Sequence, residues 1–174
     1  DAQTLDIEGQ GWTTNLKHPY DRLPAKAEGV VRAPVWNLST HSAGLQVRFT
    51  TDSPTIAARW DLREANLAMP HMPSTGVSGL DLYTRDDKGQ WRFVGAGSPK
   101  KQNGNEVSLV NGAPAGTHEY LLSLPLYNGT DSLSIGIDSK STMTISPSDK
   151  DDAVLIYGTS ITQGGCASRP GLSY

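Results

Sequence analysis

A single cysteine, Cys166, stands in 174 residues. An internal disulfide is therefore excluded, and bridges carry no information about redox compartment. Long apolar runs are missing as well. The longest, residues 153–157, has a strand's length, against the roughly 20 residues that cross a bilayer. The four histidines, His18, His41, His71 and His118, are too scattered for a familiar metal-ligand spacing. No metal and no other cofactor is expected. Neither sign of charge dominates: 15 basic and 18 acidic residues leave a net charge of -3. Without a basic block or basic-aromatic interleaving, nucleic acid is not expected as a partner. The first ten residues, DAQTLDIEGQ, lack the basic and apolar regions of a secretory leader. The expectation is either a cytoplasmic protein or a chain numbered from behind a removed leader.

What is present is turn chemistry. Glycine (18) and proline (11) recur between short segments of alternating apolar and polar residues, which is a β pattern. Leu45, Val47 and Phe49 share one strand face, and Ile56, Ala58 and Trp60 another. With Asp52-Ser53-Pro54 between them, these two segments read as a hairpin. Residues 79–84 (GLDLYT) and 90–94 read as a second hairpin around Asp86-Asp87-Lys88-Gly89. Strands over 120–124, 132–137 and 142–145 bring the series to about seven or eight, with almost no helical periodicity before residue 150. The predicted fold is a mainly β, jelly-roll-like sandwich.

The character changes at residues 146–152, SPSDKDD, a polar and charged stretch suited to a linker. Behind it AVLIYG is a continuous apolar run ending in glycine, as in a strand buried on both faces of a parallel sheet. The reading is a β-sandwich over 1–146, a linker over 147–152, and the start of an α/β domain over 153–174. After the run comes Gly158-Thr159-Ser160-Ile161-Thr162. A serine just past a buried strand, with glycines nearby, is how α/β hydrolytic enzymes expose a nucleophile. A following helix would offer its N-terminal amides to a developing oxyanion. The G-x-S-x-T pattern differs from the G-x-S-x-G elbow of the common α/β-hydrolases. Without a wider context such a serine is more often a helix N-cap.

The wider context exists. Residues 157–171, YGTSITQGGCASRPG, resemble the first motif of the SGNH (GDSL-like) esterases, in the subgroup with GTSIT in place of GDS. Gly79-Leu80-Asp81-Leu82-Tyr83 resembles the motif of the "GxDLY" domain that precedes the hydrolase domain in that subgroup, and Leu124-Pro125-Leu126-Tyr127-Asn128-Gly129 is a second matching patch. The resemblance runs from about residue 35 to the end. It implies that Ser160 is the nucleophile of the intact enzyme and that its backbone N–H is one oxyanion-hole donor. The family's other donors, a glycine and an asparagine, and its histidine base with an aspartate three residues earlier, have no counterpart in these residues. They are expected beyond Tyr174, in a C-terminal SGNH catalytic domain, and none of the four histidines sits in the base's context. An unassisted serine hydroxyl is a weak nucleophile, so these 174 residues alone are expected to be inactive.

The resemblance also implies a secreted or periplasmic bacterial esterase, with carbohydrate acetyl esters as the expected substrate. The competing reading is a non-catalytic carbohydrate-binding or scaffold module. Asp81 and Tyr83 are expected to be structural, on the face opposite Leu80 and Leu82. His71 is read as structural or as part of a loop facing the catalytic domain. Trp12, Trp36, Trp60 and Trp91 are expected in the core or at an inter-domain contact, and Cys166 as a small packing residue. Asn37-Leu38-Ser39 and Asn128-Gly129-Thr130 match the glycosylation pattern. Lacking sheet partners, residues from about 150 onward are expected to be poorly ordered, docked on the sandwich, or paired with another molecule.

Overall fold

The computed structural model describes residues 1–146, 154 and 156–173. Among these residues nine strands form, β1 (Asp6–Glu8), β2 (Gln46–Thr51), β3 (Thr55–Leu62), β4 (Leu80–Arg85), β5 (Trp91–Gly97), β6 (Asn105–Asn111), β7 (His118–Ser123), β8 (Thr130–Ile137) and β9 (Met143–Ile145). Two short helices, α1 (Ala33–Ser39) and α2 (Ser74–Val77), and three single 3-10 turns complete the set. The larger sheet has the order β1-β2-β7-β4-β5, with β9 also on β2, and the smaller the order β6-β3-β8. Every pairing is antiparallel. The short strands β1 and β9 lie end to end along one side of β2, the first against Gln46 to Arg48 and the second against Phe49 to Thr51.

Period-two alternation makes this a sandwich, because each sheet has one apolar face that must be covered. Val47 and Phe49 from β2, Leu80 and Leu82 from β4, and Tyr120 and Leu122 from β7 point inward from the larger sheet. Ile56, Ala58, Trp60 and Leu62 from β3, with Leu109 and Leu133, meet them from the smaller. Phe49 and Tyr120 stack with ring centroids 5.5 Å apart. Trp60 is fully buried, and its indole N–H donates to the Ser78 carbonyl at 3.2 Å, so its polar edge carries no penalty.

The hairpin expected over 45–60 does not form. β2 belongs to the larger sheet and β3 to the smaller, and Asp52-Ser53-Pro54 carries the chain across the sandwich. Ser53 Oγ donates to the Thr55 carbonyl and accepts from Asp138 N–H, which fastens this corner to the end of β8. The hairpin of β4 and β5 does form, with Asp86 Oδ1 accepting from Lys88 and Gln90 N–H across its turn. Of the tryptophans, Trp60 and Trp36 are buried, whereas Trp12 is 47% exposed and belongs to no core. Trp91 lies beside the guanidinium groups of Arg48 and Arg85, 5.5 and 5.7 Å from its ring centre. The segment expected as a buried strand shows Val154, Ile156 and Tyr157 exposed and outside any strand. The proposed linker over 147–152, together with Ala153 and Leu155, lies outside the described residues.

Candidate active site

The last described stretch, 159–173, lies against one end and the outer face of the sandwich, and each patch of sequence singled out above supplies part of its seat. The base of the seat is a small apolar cluster of Ala43, Met72, Val77 and Leu126, packed against Met69, Tyr127 and Ala167. Pro73, with no N–H to donate, precedes the single turn of α2. The chain leaving β7 is tied to that turn from Leu126 N–H to the Gly76 carbonyl (3.3 Å) and from Tyr127 N–H to the Val77 carbonyl (3.0 Å). Gly76 is where the C-terminal segment comes closest. A Cβ there would sit 2.1 Å from the Ala167 carbonyl oxygen, so no side chain fits.

Ser160 is exposed at the head of a compact turn, not at the start of a helix. Gln163 N–H donates to the Thr159 carbonyl at 3.1 Å and Gly165 N–H to the Ser160 carbonyl at 2.7 Å. Gly164 at φ 90° and Cys166 at φ 67° then turn the chain out of helical geometry after one revolution. The expected helix N-terminus behind the serine is therefore absent among the described residues. The same turn leaves Cys166 exposed, which corrects its reading as a packing residue.

Three side chains of the second patch and its neighbours hold this turn. Tyr127 donates its hydroxyl to the Ser160 carbonyl at 3.0 Å. The Leu126 carbonyl accepts from the Gln163 amide at 3.0 Å, and Arg22 donates to the Gln163 amide oxygen at 3.4 Å. His41 presents Nδ1 to the Gln163 amide nitrogen at 3.2 Å and Nε2 to Glu64 Oε1 at 3.4 Å. Burial pulls the His41 pKa below its ordinary value, while the Glu64 carboxylate opposes that pull. Asn128 is fully buried and fixes Glu64 from behind, accepting from its N–H and donating to its carbonyl, both at 3.0 Å. An asparagine so engaged has no amide free to carry a glycan.

The GxDLY patch holds the other end. Asp81 is completely buried on the outward side of β4, opposite the core-facing Leu80 and Leu82. Its Oδ2 accepts from Gly171 N–H at 3.2 Å and from the Tyr83 hydroxyl at 3.3 Å, and the Arg169 guanidinium lies 3.4 Å from the carboxylate. Arg169 also stacks on Phe93, 3.9 Å from the ring centre. Thr75 closes the gap between the two anchors, donating to the Ser168 carbonyl at 2.6 Å. Burial raises the Asp81 pKa, partly offset by Arg169 and the Gly171 N–H.

Asp81 and Tyr83 lie on the face opposite Leu80 and Leu82, as read from the sequence, and Asp81 holds the segment that follows Ser160. His41, Glu64, Arg22, Gln163, Thr75 and Arg169 were not anticipated, because each works through a partner distant in the chain. His71 is exposed at the bend between Met69 and Met72 and touches none of these groups. His18 and His118 lie elsewhere, His118 near the Pro114 carbonyl. Among the described residues the Ser160 hydroxyl has no hydrogen-bond partner. No group of three His, Cys, Asp or Glu side chains able to hold a metal gathers there either.

The GxDLY family model, described as the N-terminus of SGNH-hydrolase-type esterases, matches residues 1–143. The GDSL-like lipase/acylhydrolase family model matches residues 151–174. The chain belongs to the GxDLY family, and its last residues match a GDSL-like hydrolase family. A crystal structure from Bacteroides ovatus, of a protein described as a GDSL-like lipase, is similar at 35% identity and a TM-score of 0.91. That likeness covers 99% of this chain and 50% of the other, so the chain spans half the length of that relative. The salicylyl-acyltransferase SsfX3 of a tetracycline biosynthetic pathway shares the fold at 20% identity and a TM-score of 0.55, over 75% of this chain and 35% of its own. No curated protein matches.

Proposed function

We propose that the protein to which this chain belongs is a serine esterase in which Ser160 is the nucleophile. The observation that carries the reading is an exposed serine whose turn is clamped at both ends by the sandwich. Ser160 Oγ attacks the ester carbonyl, its proton passing to a base, and the alcohol departs to leave an acyl-enzyme that water hydrolyses. The base and the remaining oxyanion donors come from the part of the protein matching the uncovered half of the Bacteroides ovatus relative. Residues 1–174 by themselves therefore hydrolyse nothing. The substrate class is a carbohydrate acetyl ester and the setting is secreted or periplasmic. Both rest on the family resemblance.

Hydrolysis of p-nitrophenyl acetate and of acetylated oligosaccharides by the longer protein is the test. Ser160→Ala should abolish it, and the 174-residue chain should show none. Unchanged hydrolysis by Ser160→Ala refutes the assignment. A non-catalytic binding module has the exposed Trp12 in its favour. It predicts oligosaccharide binding by residues 1–174 that is lost in Trp12→Ala.

A further inference from the structure

Beneath Ser160 lies a polar relay to which the esterase reading gives no task. His41 is 7% exposed and sits between Glu64 and the Gln163 side chain. The orientation of the Gln163 amide settles the state of the ring. Its oxygen faces Arg22, a donor only, and its nitrogen faces the Leu126 carbonyl, an acceptor only. Reversing the amide would set oxygen against oxygen and donor against donor. One amide hydrogen serves Leu126, so the other meets His41 Nδ1, which must accept it. The ring proton therefore resides on Nε2, facing Glu64. Neutral His41 satisfies every group in the relay, whereas a second proton, on Nδ1, would oppose the Gln163 amide. The ionisable groups facing the ring are Glu64, Arg22, Arg63 and, beside it at 6.1 Å between ring centres, Tyr127.

We propose that neutral His41 is a positioning residue for the nucleophile turn, acting through Gln163 while Tyr127 holds the Ser160 carbonyl. The sandwich thereby sets the turnover of a serine whose chemistry belongs to the adjoining domain. This rests on Ser160 as nucleophile. The route is short. Gln163 N–H closes the turn on Thr159, and the Ser160 carbonyl is shared between Gly165 N–H and the Tyr127 hydroxyl. Releasing the Gln163 side chain frees the turn to shift, and misplacing a reacting group by about 1 Å costs on the order of 100-fold in rate.

The test uses the longer protein that carries the complete hydrolase domain. His41→Phe keeps the ring's bulk and removes the acceptor, while His41→Asn places an acceptor near the Nδ1 position. On p-nitrophenyl acetate, His41→Phe should lower kcat roughly tenfold or more with KM unchanged, and His41→Asn should recover most of the loss. Amide exchange at Gln163, Gly164 and Gly165, corrected for intrinsic rates, should accelerate in His41→Phe and not in His41→Asn. In the wild type it should accelerate as His41 is protonated in acid. A folded His41→Phe with wild-type kcat overturns the proposal, as does a loss confined to KM or exchange indifferent to His41. If His41→Phe does not fold, Tyr127→Phe deletes one hydroxyl and carries the same expectation, with unchanged kcat again fatal. Full activity in Ser160→Ala instead defeats the esterase reading and this proposal with it, so the two failures are distinct.

Discussion

Asp81→Asn separates the stability of the sandwich from the attachment of its C-terminal segment. Because burial raises the Asp81 carboxyl above its unfolded pKa of 3.8, the folded state holds the proton more tightly than the unfolded one. Stability then falls as pH rises through the interval between 3.8 and the raised value. Above that interval the ionised carboxylate is a net cost to folding, diminished by Arg169, Gly171 N–H and the Tyr83 hydroxyl. Asparagine removes that cost and turns one accepting oxygen into an NH2 group. It cannot then serve Arg169 and the Gly171–Tyr83 pair together.

A hydrogen bond to a charged group contributes about 1.5–3 kcal/mol net. The Arg169 contact is long at 3.4 Å and its side chain is 26% exposed, and its stacking on Phe93 survives the change. A loss of roughly 1–1.5 kcal/mol is reasonable for the segment, about tenfold in the docking equilibrium. At neutral pH, amide exchange at Gly171, Leu172 and Ser173 should speed up by about that factor. Exchange at Val47 and Leu122 should not speed up, and Tm should not fall. The fall in stability across the Asp81 interval should also disappear. Unaltered exchange at 171–173, or a drop in Tm like that of a core mutation, would refute the reasoning.

Two further outcomes follow from close packing. Gly76→Ala drives a methyl into the Ala167 carbonyl. The relief should come from displacement of residues 167–173, read as exchange there faster by at least about a factor of ten, since overpacking costs roughly 1–3 kcal/mol. Tyr20 is fully buried, its hydroxyl has no partner among the described residues, and burial pushes its pKa up to about 12. Tyr20→Phe should therefore stabilise the sandwich by about 1 kcal/mol, near 3 °C in Tm, and a lowered Tm would show that the hydroxyl is satisfied.

Strands whose alternation is clean were legible from the residues alone, as with Leu45-Val47-Phe49 and Leu80-Leu82. Which sheet each strand joins was not. The turn at Asp52-Ser53-Pro54 has the same composition whether it closes a hairpin or crosses a sandwich, and β7 and β8, far along the chain, decide the matter. The strand β1 has only three residues, too few for a period to register, and β6 (NEVSLVN) has polar residues on both faces and a bulge opposite Ile56 and Ala57. Ser160 was visible because its motif is contiguous. Its holders were not, since Tyr127 is 33 residues away, Asp81 lies 88 residues from Arg169, and His41 lies 122 from Gln163.

The two motif patches acquire one physical meaning when their partners are named. In the first, Asp81 is a carboxylate with no solvent access, the most expensive kind of side chain to place on an outer sheet face unless something charged and hydrogen-bonding covers it. Its cover consists of Arg169 and Gly171. In the second, the Leu126 carbonyl, the Tyr127 hydroxyl and the buried Asn128 amide lead respectively to Gln163, to Ser160 and, through Glu64 and His41, back to Gln163. A sandwich that served only as a free-standing binding module would gain nothing from these groups, and without residues 160–171 it would leave several of them unpaired. The chemistry of GxDLY and LPLYNG is therefore that of a socket. What the socket receives is the turn that bears Ser160, which ties the stability of the sandwich face to the geometry of that turn.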